Sequence, residues 1–308
     1  MMSPRKSAKG AAGRWMGLLF GTVTSFAVPV LAHASSAADL YYERTVMTAA
    51  DARCRLFTPV LGQSLAAAQA QARGAALRAG TDPSALGDIQ RRAEAKAGAV
   101  ACDNADLTLA AGRVRSAFDA FGHVTRLTYP GDTSGWSANR TATDSSVWRL
   151  SQPASFGPDR MIFGLAGRDT PGALVAVASF ADGQTPYAAR LIIRDTARAP
   201  LPYLDRQKTD AAGRLPLAAR MPPRALDRGF MAEARYDANP LLLPTGAKEG
   251  VTFRFSGPAV EALAALDPRE AVIVEFVFAG RDGDEVRTAY VEVGDFAAGR
   301  AFVRYATW

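Results

Sequence analysis

The chain has 308 residues, 48% hydrophobic and 21% charged, with 27 glycines and 18 prolines. That length holds one or two domains, and that composition excludes a disordered tail, a collagen and a coiled coil. The formal charge is +6, but four of the 36 Lys and Arg lie in the first 34 residues, which hold no Asp or Glu, so the remainder carries 32 basic against 30 acidic residues and offers no electrostatic footprint for nucleic acid.

Residues 1–34 have the three parts of a secretory signal: Arg5, Lys6, Lys9 and Arg14, then an apolar run from Met16 to Leu31, then Ala32-His33-Ala34 as a small-x-small cleavage site. Gly21, Thr22, Thr24, Ser25 and Pro29 interrupt the run, which argues against a permanent membrane span. The expected mature chain begins at Ser35, has no transmembrane span, and is periplasmic or secreted. An exported chain with two cysteines, Cys54 and Cys102, is most simply read as carrying one disulfide.

From Asp39 to Leu127 the apolar residues recur at helical spacing. Leu40, Met47, Ala50, Cys54 and Phe57 share the face of a first helix. Thr58-Pro59 caps a second, with Leu61, Leu65, Ala68, Ala72 and Ala75 on its stripe and Gly80 at its end. Asp82-Pro83 opens a third with Leu86, Ile89, Ala93, Ala97 and Val100, and Asn104 caps a fourth with Leu107, Ala111, Val114, Phe118 and Phe121. Four short-linked helices predict an up-down bundle, in which the first and third helices end on the same side and the cysteines meet. The Ala-rich stripes bury little area, a deficit that a cross-link offsets. Arg91, Arg92, Glu94 and Lys96 read as a solvated helix face, and His123 as a residue near a helix C-terminus.

Residues 128–147, with Tyr129-Pro130-Gly131-Asp132 and a run of Ser, Thr, Asn and Gly, break the helical period and read as a linker. Trp136 and Trp148 are the candidate aromatic contacts: a platform for a sugar ring or peptide, against the more frequent role of packing two halves together. Strand-like runs follow at Arg160–Leu165, Ala173–Phe180, Tyr187–Arg194, Val251–Phe255, Ala271–Ala279 and Glu285–Val293, with a further strand within Phe230–Tyr236. Val251–Phe255 alternates as a half-buried strand, and Ala271–Ala279 is apolar on both faces except at Glu275, as in a central strand. Gly280–Asp284 turns the last pair into an antiparallel hairpin; a short helix spans Pro258–Leu266, and Asp295 caps a terminal helix through Tyr305. Seven prolines in residues 196–249 prevent long elements there, leaving either a functional surface or a covering for a sheet.

Across residues 250–305 the order strand, short helix, long strand, turn, strand, terminal helix is carried by Ala259–Leu266, Val272–Phe278 and Val291-Glu292-Val293-Gly294-Asp295-Phe296. It resembles the end of small periplasmic domains of the invasion-associated locus B family. The resemblance covers about a fifth of the chain and rests on apolar positions. It implies a non-enzymatic exported β domain and assigns no residue a role. Members of that family carry cysteines in this domain, whereas this half has none, and the helical half has no counterpart.

The inventory bears on chemistry. His123 is the one histidine beyond the leader and lies far in sequence from the β half, and G-x-S-x-G, H-E-x-x-H, C-x-x-C and a Walker loop are missing, so triad, zinc, thiol-redox and nucleotide functions lack support and no cofactor is expected. Asp282, Asp284 and Glu285 read as hairpin-turn residues and not as a calcium loop. Arg300 and Arg304, near the terminal Trp308, do not suit the lipid-facing band of a membrane barrel.

The fold class expected is α+β: an N-terminal disulfide-linked helical bundle (residues 35–127), a linker (128–147), then an antiparallel β-sandwich or barrel-like domain with short helices (148–308). The function expected is non-catalytic binding or assembly in the cell envelope, with an envelope protein or glycan as partner and no nucleic acid. The alternative is a carboxylate-based hydrolase of envelope carbohydrate, whose paired acids leave no short motif.

Overall fold

In the computed structural model, which describes residues 36–168 and 172–304, local signals set the helices where their caps predict. Helix α1 spans Ala37–Cys54, closed at its start by a capping box between Ser36 and Asp39. Thr58 caps α2 (Pro59–Arg78), Asp82 caps α3 (Pro83–Ala99) and Asn104 caps α4 (Ala105–Gly122), each by a side-chain oxygen that accepts a backbone N–H of the first turn. Gly80 ends the second helical segment at φ +94°, a left-handed conformation that glycine adopts without strain. Helix α1 packs between α2 and α3, and the expected bridge is present: Cys54 and Cys102 are bonded, with Cα atoms 5.5 Å apart. The leader and its cleavage site lie outside the described residues, as does Tyr305, to which the terminal helix was expected to run. Among the described residues no helix is long and apolar enough to cross a membrane.

Eleven strands are seen among the described residues: β1 (Arg126–Tyr129), β2 (Trp136–Asn139), β3 (Val147–Phe156), β4 (Asp159–Gly167), β5 (Ala173–Ser179), β6 (Ala188–Arg194), β7 (Asp227–Met231), β8 (Ala234–Asp237), β9 (Val251–Arg254), β10 (Ala271–Gly280) and β11 (Gly283–Glu292). Helix α5 (Gly257–Ala264) precedes β10, and α6 (Phe296–Phe302) follows β11. All pairings are antiparallel, in a seven-stranded sheet ordered β1-β2-β3-β4-β5-β9-β8 and a four-stranded sheet ordered β11-β10-β6-β7. The stretch read as a linker carries the end of β1 and all of β2. The run Phe230–Tyr236 is two strands, not one: the chain leaves the small sheet after Met231 and enters the large sheet at Ala234.

The inner faces of the two sheets share one core with Phe163, Phe253, Phe276 and Phe278. The outer face of the large sheet is covered too: Leu242 and Leu243 pack with Val175, Val177 and Trp148. That cover explains why Thr252, expected on a wet face, is buried. The proline-rich middle is therefore a covering for both sheets at least in part, since Arg220 from the same stretch reaches the buried end of β11.

The described residues form one compact unit. Helix α2 packs on α6, where Arg78 makes a two-pronged ion pair with Asp295 at 2.8 and 3.0 Å. Gly74 permits that approach, because a Cβ there would stand 2.6 Å from Asp295 Oδ1. Asp295 thus serves as an ion-pair partner for α2 and its side chain does not cap α6.

Candidate functional site

Alternation along a strand decides where backbone polar groups point. In β11, Gly283 pairs with Gly280 across the two-residue turn Arg281-Asp282, and the register with β10 continues without a shift to Glu292 opposite Ala271. At the far end, the Glu292 N–H donates to Gln152 Oε1 at 2.8 Å, and Gln152 Nε2 donates to the Glu292 carbonyl at 3.2 Å. The backbone of Glu292 therefore faces away from β10. By alternation so do those of Tyr290, Thr288, Val286 and Asp284. β11 is an edge strand whose last residue alone is matched by that side-chain amide.

Opposite this edge runs β3, which β4 pairs along its whole length but β2 covers only at Leu150 and Ser151. Between the β11 edge and the β3–β4 hairpin lies an open recess of ≈ 800 Å³ lined by Ser155, Phe156, Pro158, Asp159, Arg287 and Tyr290 among others. Arg287 and Tyr290 belong to opposite faces of β11, so a recess that touches both lies along the edge.

Arg287 organises the polar wall. Its guanidinium bonds Asp182 at 2.7 Å, Glu285 at 3.1 Å and Asp159 at 3.3 Å, and it lies over the ring of Phe278 at 4.3 Å. Its bond to Asp182 is the main cause holding the guanidinium charged, and the same bond pulls the Asp182 carboxyl below the usual carboxylate range. Asp159 also accepts the Ala181 N–H at 2.9 Å. Beside the cluster the Tyr187 hydroxyl donates to Asp284 at 2.7 Å. Three carboxylates against one guanidinium leave this end of the recess acidic, with Asp284 just outside it.

Further along the outer face of the small sheet a second recess, ≈ 300 Å³, shares Thr288 and Tyr290 with the first and adds Arg190, Arg224, Asp227 and Glu275. Arg190 pairs with Glu275, and burial raises the Asp227 carboxyl above its ordinary value. The closed end of β11 is held by Glu292, whose carboxylate accepts the N–H groups of Asp132, Thr133 and Ser134 at 2.8 Å each, with Arg220 at 3.4 Å.

The residues singled out from sequence are dispersed. Trp136 is fully buried in the core, its indole N–H donating to the Val293 carbonyl at 2.9 Å, and Trp148 donates to the Leu242 carbonyl at 3.2 Å on the opposite face of the large sheet. Each packs; they do not meet as a platform. His123 is exposed at the end of α4, and Arg91, Arg92, Glu94 and Lys96 are exposed on α3. Asp282, Asp284 and Glu285 lie in and beside the β10–β11 turn, where Asp284 and Glu285 are taken up by Tyr187 and Arg287. Among the described residues no group of three or more His, Cys, Asp or Glu could hold a metal ion. The recess itself depends on β3, which the sequence reading did not identify.

Compared with protein-family models, with characterised proteins and with solved structures, the chain finds no significant match.

Proposed function

We propose that this is an exported protein that acts by binding within the cell envelope, after loss of its first 34 residues and pairing of Cys54 with Cys102 in an oxidising compartment. The observation that carries the reading is the recess beside β11, where an unpaired strand edge and an acidic wall are presented together and the carboxylates are already engaged by Arg287. A glycosidase needs one carboxyl held protonated near neutral pH while a second faces it across the substrate. In the recess beside β11 Asp182 is shifted the other way, which suits recognition of a cation better than proton donation, and the raised carboxyl of Asp227 lies in the smaller second recess. The likeness of residues 250–305 to invasion-associated locus B-like domains supports the same non-enzymatic reading.

The test is affinity isolation of the tagged chain from the envelope, with the mature N-terminus read by mass spectrometry. The expected result is a start at Ser35 and a stoichiometric companion that is lost when Asp182 and Glu285 are both changed to Lys. Intact leader inside the cell with both thiols alkylatable, or cleavage of envelope glycan by the purified protein, would overturn it.

A further inference from the structure

Sheet edges left open invite another strand, and proteins shorten, twist or charge them to prevent it. Three of the four edges here are short: β1 and β8 have four residues each and β7 has five. The fourth, β11, has ten, with no register shift against β10 and no proline or lysine between Asp284 and Tyr290. No strand pairs with its outward N–H and C=O groups over Asp284–Tyr290: Thr288 and Tyr290 line the ≈ 800 Å³ recess, and Val286 is exposed. At Glu292 the side-chain amide of Gln152 already imitates such a neighbour by taking one donor and one acceptor.

Resting on the binding role above, we propose that β11 receives an extended segment of a partner protein as an added antiparallel or parallel strand, running from Asp284 to Tyr290, with Lys or Arg side chains set against Asp159, Asp182, Asp284 and Glu285. Charge chooses the occupant: three carboxylates, Asp159, Asp182 and Glu285, surround the one Arg287 guanidinium, and a fourth, Asp284, stands beside the cluster bonded to Tyr187. Pairing is with β11 and not with β3, because Pro153 deprives β3 of a donor within the stretch that β2 leaves uncovered. Backbone bonds supply affinity in this mode of recognition, and alternate side chains supply selectivity. One side-chain set of the added strand meets Arg287 and Phe156 toward the sandwich interior, and the other meets Thr288 and Tyr290 on the outer face.

The experiment uses the full disulfide-bonded chain and an alternating lysine–valine decapeptide. The expected result is saturable binding with slowed amide exchange at Val286, Thr288 and Tyr290, loss of about tenfold in affinity for the glutamate–valine analogue, and a similar loss when the decapeptide is N-methylated along one edge. Thr288→Pro removes an outward N–H without touching the ladder to β10, and is expected to weaken binding by about tenfold, whereas Thr288→Val retains it. The N-methylated peptide keeps the test decisive should the proline variant fold poorly.

Absence of decapeptide binding, equal binding of the glutamate analogue, or protection that appears away from β11 would overturn the assignment. So would a concentration-dependent dimer abolished by Thr288→Pro, which would make a second copy the occupant. An envelope companion that persists in Thr288→Pro sinks strand addition and leaves the binding role standing. Decapeptide protection of β11 without any companion in the envelope supports the edge assignment and removes the envelope role.

Discussion

Glu292 shows how one side chain holds the candidate site in place. Its backbone ends the open edge of β11, while its carboxylate gathers three successive N–H groups of the turn at residues 132–134 and the buried Arg220. The carboxylate is 1% exposed, so its charge is stabilised by these partners and not by water. Glu292→Gln keeps the shape but leaves Arg220 without its buried counter-charge, and urea unfolding is expected to show a loss of about 3 kcal/mol. A loss below about 1 kcal/mol would mean that Asp132 compensates, as in an ordinary exposed pair. Asp227 presents the opposite case. Burial raises its carboxyl despite the neighbouring Arg224, so the folded chain holds that proton more tightly than the unfolded chain does. Stability contributed by this group therefore falls as pH rises through its folded pKa, and the cost persists at neutral pH. Asp227→Asn is expected to melt higher than the parent at neutral pH and to lose that advantage below the usual carboxylate range. A lower melting point at neutral pH would make Arg224 its productive partner instead.

At the scale of elements, the bridge compensates for α3, which buries three side chains of which two are alanine. α3 contributes Leu86, Ala93 and Ala97 as its buried residues, and α1 contributes Tyr41, Thr45, Met47 and Ala50. The disulfide closes a separation of 48 residues, and Arg53 adds a bond to the Ala97 carbonyl at 2.9 Å. In the chain-entropy account a loop of that length is worth about 4 kcal/mol, so reduction, or Cys54→Ala with Cys102→Ala, is expected to lower stability by about that amount, with amide exchange accelerating first in α3. A loss well below that amount, with exchange in α3 unchanged, would mean that the bridge does not secure α3 against α1. The helices were legible in the sequence because their signals are local: Thr58-Pro59, Asp82-Pro83 and Asn104 each lie within a turn of the start they define. The hairpin of β10 and β11 was legible for the same reason. β3 was not, since Ser151, Gln152, Pro153 and Ser155 spoil any alternation. Its buried polar groups take partners outside the strand, Gln152 at Glu292 and Arg149 at the carbonyls of Thr141 and Gly167 among others. Without β3 the acidic residues after the turn read as turn chemistry, and the recess they border stayed out of sight.

For the whole molecule the decisive question is whether helices and sheets melt as one body. The ties across them are specific. Arg78 of α2 holds Asp295, whose side chain is 1% exposed, and Phe302 of α6 meets Phe121 and Tyr129 edge-on at 5.8 and 6.5 Å. Arg140 lies over Phe302 at 4.4 Å and donates to the carbonyls of Phe121 and Val124, so the end of α4 is bound to the sheet through both chain and ring. A stretch so tied cannot act as a free linker, and the predicted consequence is a single cooperative transition. Far-ultraviolet circular dichroism, dominated by the helices, and tryptophan fluorescence, to which Trp136 in the core and Trp148 on the outer face of the large sheet contribute, are expected to give coincident unfolding curves. Arg78→Met sharpens the test: it leaves the Asp295 carboxylate buried without its partner, at a cost of about 3–5 kcal/mol, and both curves are expected to move together. Helical signal lost at lower denaturant than tryptophan burial, in the parent chain, would show instead that the helices form a separately folding domain and that the Arg78 pair joins two bodies.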